Sequence, residues 1–132
     1  MLIFELNSNN THTFIQQQSM EALYFRFVEL TQEIDIYMAI CSQINSSTLL
    51  LLNEIAIRYF EDKKITITQA MFLKNIASPS CIQRQIFDLK NAGLIEYFFE
   101  NGNRRTKFLV PTKLTCDYFD KMSEAIVKAN TV

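Results

Sequence analysis

Ser78-Pro79-Ser80-Cys81-Ile82-Gln83-Arg84-Gln85-Ile86-Phe87-Asp88-Leu89-Lys90-Asn91-Ala92-Gly93 reads as one short helix with both of its ends written in the sequence. Ser78 is a favoured N-cap, because its hydroxyl can accept from a free first-turn N–H. Pro79 suits the first helical position, where its φ is already helical and no donor is lost. Gly93 stands where a left-handed residue closes a helix. Ile82, Ile86 and Leu89 fall four and three apart and form an inward face. Ser80, Gln83, Arg84 and Phe87 are left on the opposite side. Phe87 is expected in core or edge packing.

Working outward, Ile65-Thr66-Ile67 is β-branched and fits a three-residue strand. Thr68 can cap a helix from Gln69 to Ile76, with Met71, Phe72 and Ile76 available to a core. Ala77-Ser78-Pro79 then makes the tight turn into the Ser78 helix, which gives a helix-turn-helix. On the other side, Leu94 to Glu100 is rich in aromatic and branched residues and reads as a strand. Asn101-Gly102 is a hairpin signal, and Lys107 to Val110 forms the returning strand. Arg104, Arg105 and Lys107 make the loop basic. Strand, helix, turn, capped helix, Gly and basic hairpin in that order predict a winged helix-turn-helix: mainly α with a small β-hairpin wing (α+β), preceded by a long amino-terminal helix.

That helix is predicted over 19–44, capped by Ser19 after a flexible arm over 1–18, with a brief strand allowed in the arm. Met20, Leu23, Phe27, Leu30, Ile34, Tyr37 and Cys41 are spaced alternately three and four apart, a strict 3.5-residue repeat. Such a narrow seam suits a partner helix, so Met20, Leu23, Phe27, Leu30, Ile34 and Tyr37 are the expected dimer interface; a helix laid along its own domain is the plainer alternative. After a break at Asn45-Ser46-Ser47, a second helix runs from about Thr48 to Phe60. Leu49, Leu52, Ala56, Tyr59 and Phe60 share one face, and Leu51, Ile55 and Ile57 make other faces apolar, as expected of a central helix. The winged domain is expected over 45–113, followed by a carboxy-terminal helix over 114–132.

Thr66 to Thr112 resembles the MarR-type winged helix regulators. The matching residues are Ser78-Pro79-Ser80-Cys81-Ile82-Gln83-Arg84, Leu89-Lys90-Asn91-Ala92-Gly93-Leu94-Ile95, Asn103-Arg104-Arg105-Thr106-Lys107, and Pro111-Thr112. The family pattern has a Ser-rich recognition helix with an Arg, a Leu-x-x-x-Gly-Leu-Ile helix end, an Asp-Arg-Arg wing and a Leu-Thr entry to the next helix. This chain departs from it at Asn103, which replaces the wing Asp, at Gln85 and Phe87, and at Pro111. It also has fewer residues after the wing for dimer helices.

The resemblance implies a transcriptional regulator that reads double-stranded DNA as a homodimer, with a small-molecule effector possible. The helix over 79–92 would enter the major groove, and the wing over 100–107 would lie on the backbone or minor groove. Arg84 can donate bidentately to guanine, with Gln83 and Ser80 near base edges or phosphates. Ser78 suits a phosphate at the helix start, and Lys90, Arg104, Arg105 and Lys107 supply phosphate attraction. A solvated Arg84 paired with Asp88 is the alternative at that residue. For the whole protein the alternative is a winged helix protein-protein interaction module without DNA binding, its basic wing contacting an acidic partner.

The charge distribution agrees with a polyanion partner. The 132 residues carry a formal net charge of −1. Met1 to Asp62 holds two basic and eight acidic residues, whereas Lys63 to Lys113 holds nine basic and three acidic, a local +6. Hydrophobic residues at 48% and charged residues at 20% are ordinary for a globular chain and exclude a disordered one. The longest apolar run, Leu49 to Leu52, is far too short for a bilayer, and Met1 to Leu6, interrupted by Glu5, makes no signal peptide. Cys41, Cys81 and Cys116 lie apart in no CxxC pairing, which points to buried thiols, no metal site and a cytoplasmic location. Cys81 as a redox sensor, known for some members of the resembled family, is the alternative. His12 is the single histidine and there is no glycine-rich phosphate loop, so no catalytic residue and no cofactor are expected.

Overall fold

The computed structural model describes residues 11–131, with side chains described from Met20 onward. The first ten residues of the expected arm, and any strand there, lie outside the described residues. The helix begins earlier than expected: α1 spans Thr11–Gln32, so residues 11–18 of the arm are helical and Ser19 lies inside a helix rather than at its cap. The expected single helix over 19–44 is also divided. Glu33 N–H and Ile34 N–H donate to Leu30 and Thr31 carbonyls, three-residue closures that end α1, and α2 restarts at Asp35–Gln43. The 3.5-residue seam therefore crosses a break between Leu30 and Tyr37.

The described residues form two compact units, 11–38 with 121–131, and 39–120. In the first, Arg26 on α1 donates from Nε to the Ala129 carbonyl at 3.0 Å and also from its second guanidinium nitrogen. Leu23, Phe27, Leu30 and Ile34 are half-buried there, while Met20, Tyr24 and Phe25 are exposed. The second unit begins before the expected residue 45 and ends after 113. Ile40 in α2, and Thr115 and Tyr118 in the helix after the wing, are buried and belong to its core.

In this second unit α3 spans Ser46–Phe60, capped by Asn45, whose Oδ1 accepts from Thr48 N–H at 2.8 Å. Its end is closed by Asp62 at φ 59 and by Lys63 N–H donating to Arg58 carbonyl at 2.8 Å. The buried face is Thr48, Leu51, Leu52, Ile55 and Ala56. Tyr59 and Phe60, which by spacing share a face with Leu52 and Ala56, are exposed, as are Leu50 and Ile57. The helix therefore buries one face and leaves its other apolar residues exposed.

β1 is two residues long, Ile65–Thr66. Thr66, not Thr68, caps the short α4, Ile67–Ala70. Its hydroxyl accepts from Gln69 N–H at 3.1 Å and Gln69 Oε1 accepts from Thr66 N–H at 2.9 Å. This reciprocal capping box satisfies two donors at once and starts the helix earlier than expected. The expected run to Ile76 gives way after Ala70 to turns in which Leu73 and Ile76 N–H groups donate to Ala70 and Leu73 carbonyls. Phe72, assigned to the core by sequence, is exposed.

α5 spans Pro79–Asn91 and buries Ile82, Ile86 and Leu89 as its spacing requires. Each such side chain contributes about 1.5–3 kcal/mol of burial. Gly93 at φ 74 turns the chain toward β2, Ile95–Phe98, which pairs antiparallel with β3, Phe108–Pro111. β1 pairs with the other edge of β3, Ile65 opposite Leu109, so the sheet order is β1-β3-β2. α6, Lys113–Asn130, starts beside the exit from α5. Thr112 and Thr115 hydroxyls donate to the Gly93 and Leu94 carbonyls at 2.7 and 2.6 Å, which ties the returning strand to the end of α5.

Candidate nucleic-acid interface

α5 displays the outer face its sequence requires: Ser78, Ser80, Gln83, Arg84 and Lys90 are all exposed. Ser78 Oγ accepts from Cys81 N–H at 3.4 Å and lies 3.5 Å from Ser80 Oγ, a contact in which either hydroxyl can donate. The alternative ion pair of Arg84 with Asp88 does not form among the described residues. Phe87 is 61% exposed on this face instead of packed in the core. Cys81 is exposed as well, and so is Cys41, which corrects the expectation of buried thiols; Cys116 is half-buried. Cys81 lies three residues before Arg84, a spacing that by itself places it outward. Burial pushes the Cys116 thiol pKa up, and Asp120 and Asp117 push it the same way.

The inner side of α5 holds a polar residue, Gln85, that the apolar spacing of Ile82, Ile86 and Leu89 does not include. Gln85 is 4% exposed, and its Nε2 donates to Ser47 Oγ at 2.8 Å. Ser47 donates in turn to the Ile76 carbonyl at 3.4 Å. The start of α3, the turn and α5 are thereby joined by one polar chain. Gln85 Oε1 is buried with no partner among the described residues. Its spacing of three from Ile82 and four before Leu89 was the signal that it faces inward.

The wing is longer than a tight hairpin. The strands end at the Phe98–Phe108 pair, short of the expected Glu100 and Lys107, and residues 99–107 form the loop. Asn101 at φ 48 and Gly102 at φ 76 sit inside a turn closed by Asn103 N–H donating to Glu100 carbonyl at 2.8 Å. Two consecutive positive φ values are the conformation that Asn-Gly supplies at low strain. Asn103 accepts Arg105 N–H on its Oδ1 at 3.0 Å, the local turn that Asn and Asp share. Arg104, Arg105 and Lys107 are exposed.

The cations divide into two sets. Lys64 pairs with Glu100 at 2.6 Å and sits 5.3 and 5.1 Å from the Phe98 and Phe108 ring centroids. The Glu100 hydrogen bond raises its pKa. Lys113 pairs with Asp117 at 3.1 Å. Arg84, Lys90, Arg104, Arg105 and Lys107 have no ion-pair partner among the described residues. Three of these five lie against rings instead: Lys90 and Lys107 over Tyr97, and Arg104 at 6.0 Å from Phe99.

Beyond this surface, the first unit holds a cleft of about 420 Å³ lined by Leu30, Ile34, Ala125, Lys121 and Lys128 with Glu33, Asp35 and Glu124. Among the described residues no cluster of His, Cys, Asp and Glu could hold a metal, and no helix is long and apolar enough to cross a membrane.

No protein-family model matches the sequence, and no curated protein matches it. Solved structures do match the fold. RV1404 from Mycobacterium tuberculosis matches with a TM-score of 0.55 at 17% identity, over 94% of this chain and 77% of that one. The transcriptional regulator Tm0710 from Thermotoga maritima gives 0.54 at 17% identity, over 88% and 75%. YusO from Bacillus subtilis gives 0.53 at 15% identity, over 93% and 80%. At such identities the likeness is one of fold, and that fold is the winged helix-turn-helix.

Proposed function

We propose that this winged helix-turn-helix protein is a sequence-specific, double-stranded DNA-binding transcriptional regulator acting as a homodimer, with α5 in the major groove and the wing on the backbone or minor groove. One observation carries the reading. Arg84, Lys90, Arg104, Arg105 and Lys107 are exposed and free of carboxylates among the described residues and lie together on α5 and the wing, while Lys64 and Lys113 of the same basic segment are paired with Glu100 and Asp117. A surface that leaves its cations unpaired on a helix and its adjoining wing suits a polyanion. The fold shared with Tm0710, which is described as a transcriptional regulator, supports the reading by analogy alone.

In this reading Arg84 takes guanine O6 and N7, Gln83 and Ser80 reach neighbouring edges or phosphates, and Ser78 donates to a phosphate at the helix start. Lys90, Arg104, Arg105 and Lys107 neutralise phosphates and release counterions. The partner copy docks on the first unit. Met20, Tyr24 and Phe25 on α1 and Ile126 and Val127 on α6 are exposed apolar residues there, and they extend the seam of Leu23, Phe27, Leu30, Ile34 and Tyr37. The Lys121–Lys128 cleft is a seat of suitable size for a small organic effector.

Selection of bound duplexes from a random library tests the proposal. A palindromic consensus is expected, with binding that weakens steeply with salt; four phosphate-contacting cations on each protomer of the homodimer give a logarithmic slope of about −7. Arg84→Ala should relax specificity at one base pair by about 1–3 kcal/mol. Absence of duplex binding at low salt refutes the reading, and capture of an acidic protein in its place would favour the interaction-module alternative.

A further inference from the structure

Tyr97 lies in β2 and is half-buried. Two ammonium groups from different elements stand over its ring. Lys90 Nζ, from the last turn of α5, is 4.6 Å from the centroid, and Lys107 Nζ, from the residue preceding β3, is 5.2 Å from it. Both distances fall within the range of about 6 Å over which the ring quadrupole attracts a cation. The two ammonium groups can be no further apart than those two distances together, so they repel each other. Among the described residues neither meets a carboxylate. Lys64 is the contrast: it also lies on aromatic rings, but Glu100 neutralises it at 2.6 Å. One ring-held cation is thus paired internally, whereas the Tyr97 pair is exposed and doubly positive.

We propose that Tyr97 is a positioning residue that gathers Lys90 and Lys107 into a single phosphodiester-binding site where the recognition helix meets the wing; this rests on the DNA-binding reading above. Lysine side chains are normally mobile, and a ring that restrains both before binding lowers the ordering cost when a phosphate arrives. A bound phosphate also relieves their mutual repulsion. Because the two lysines come from separate elements, the same ring couples the placement of the wing to that of α5. Nothing in the linear spacing of Lys90, Tyr97 and Lys107 announces this, since they meet only through the fold.

The test is a double-mutant cycle with a fluorescent random-sequence duplex, read by anisotropy across a salt series. Tyr97→Phe keeps the ring and should bind like wild type. Tyr97→Leu keeps an apolar side chain without the ring and should bind about fivefold more weakly, as expected for two exposed cation–π contacts. In a Lys90→Ala/Lys107→Ala background, Tyr97→Leu should have no further effect. Equal binding by Tyr97→Leu and wild type overturns the proposal, as does the same loss in the lysine-free background, which would mark a merely structural ring. A readout independent of DNA and of the leucine variant is the ε-methylene proton resonances of Lys90 and Lys107 in free wild-type protein. Ring currents should move them upfield of the other lysines, and unshifted resonances overturn the clamp even if duplex binding is intact. Failure of wild type to bind any duplex refutes the DNA-binding reading, and the proposed phosphodiester site with it, while upfield resonances in that case would show the ring geometry to be sound.

Discussion

Replacing Gln85 with methionine should stabilise the protein, although the substitution removes a hydrogen bond. The bond lost, Gln85 Nε2 to Ser47 Oγ at 2.8 Å, is neutral and contributes about 0.5–1.5 kcal/mol net. Against it stands Gln85 Oε1, buried without a partner among the described residues, a desolvation cost of about 1–3 kcal/mol that methionine does not incur. Ser47 keeps its own acceptor in the Ile76 carbonyl, so no second group is orphaned. Methionine matches glutamine in length and in helix propensity, and its flexible thioether can fill the same space. The balance favours the variant by about 1 kcal/mol, a rise in Tm of about 4 °C for a chain of this size. Equilibrium urea denaturation with a matching thermal melt would measure it. Gln85→Ala is the control, expected to lose about 2 kcal/mol because it leaves a cavity. A methionine variant less stable than wild type by about 1 kcal/mol or more would refute the reasoning, since it would mean that Oε1 is satisfied, for instance by a buried water.

Three further outcomes are expected. Gly93→Ala should cost about 1 kcal/mol in the same denaturation assay, purely from the left-handed backbone at φ 74, because a Cβ there meets nothing within 4 Å; an unchanged midpoint would contradict this. Native protein should show two thiols that react readily with an aromatic disulfide reagent, Cys41 and Cys81, and a slower third, Cys116, whose pKa is raised. Because the folded state resists losing the Cys116 proton, its contribution to stability is full below the ordinary thiol pKa and declines as pH rises through it toward the folded value. Cys116→Ser should flatten that alkaline decline, and an identical pH profile would count against it. Light scattering at tens of micromolar should report a dimer for wild type, and Phe25→Asp or Val127→Asp should shift it to monomer; a monomeric wild type removes the homodimer from the proposal.

The parts legible in the sequence were those with local causes. Ser78, Pro79 and Gly93 mark the ends of α5 because capping and left-handed closure act within a few residues. Asn101-Gly102 located the wing turn for the same reason. The break after Gln32 was not legible: Glu33 and Ile34 carry neither Gly nor Pro, and the 3.5-residue spacing continues through them. The capping box of Thr66 and Gln69 was present in the sequence, but the β-branched run around it favoured a longer strand and placed the cap at Thr68. The faces of Cys81 and Gln85 follow from their spacing to Arg84 and Ile82; residue type, a cysteine expected buried and a glutamine left out of the inward face, points the other way.

By itself, then, the sequence determined the order of elements from α3 onward, the limits of α5 and the identity of the basic residues on it and on the wing, since each of these follows from dihedral preference, capping or helical period. Tertiary structure alone decided which face of the four-leucine run in α3 is buried, where the long amino-terminal seam breaks, and which cations are neutralised. Those outcomes depend on partners distant along the chain: Glu100 for Lys64, Ser47 for Gln85, Tyr97 for both Lys90 and Lys107. Contact energies of this kind fall off within a few ångströms in space but carry no signature in linear order, so only the folded chain brings them together.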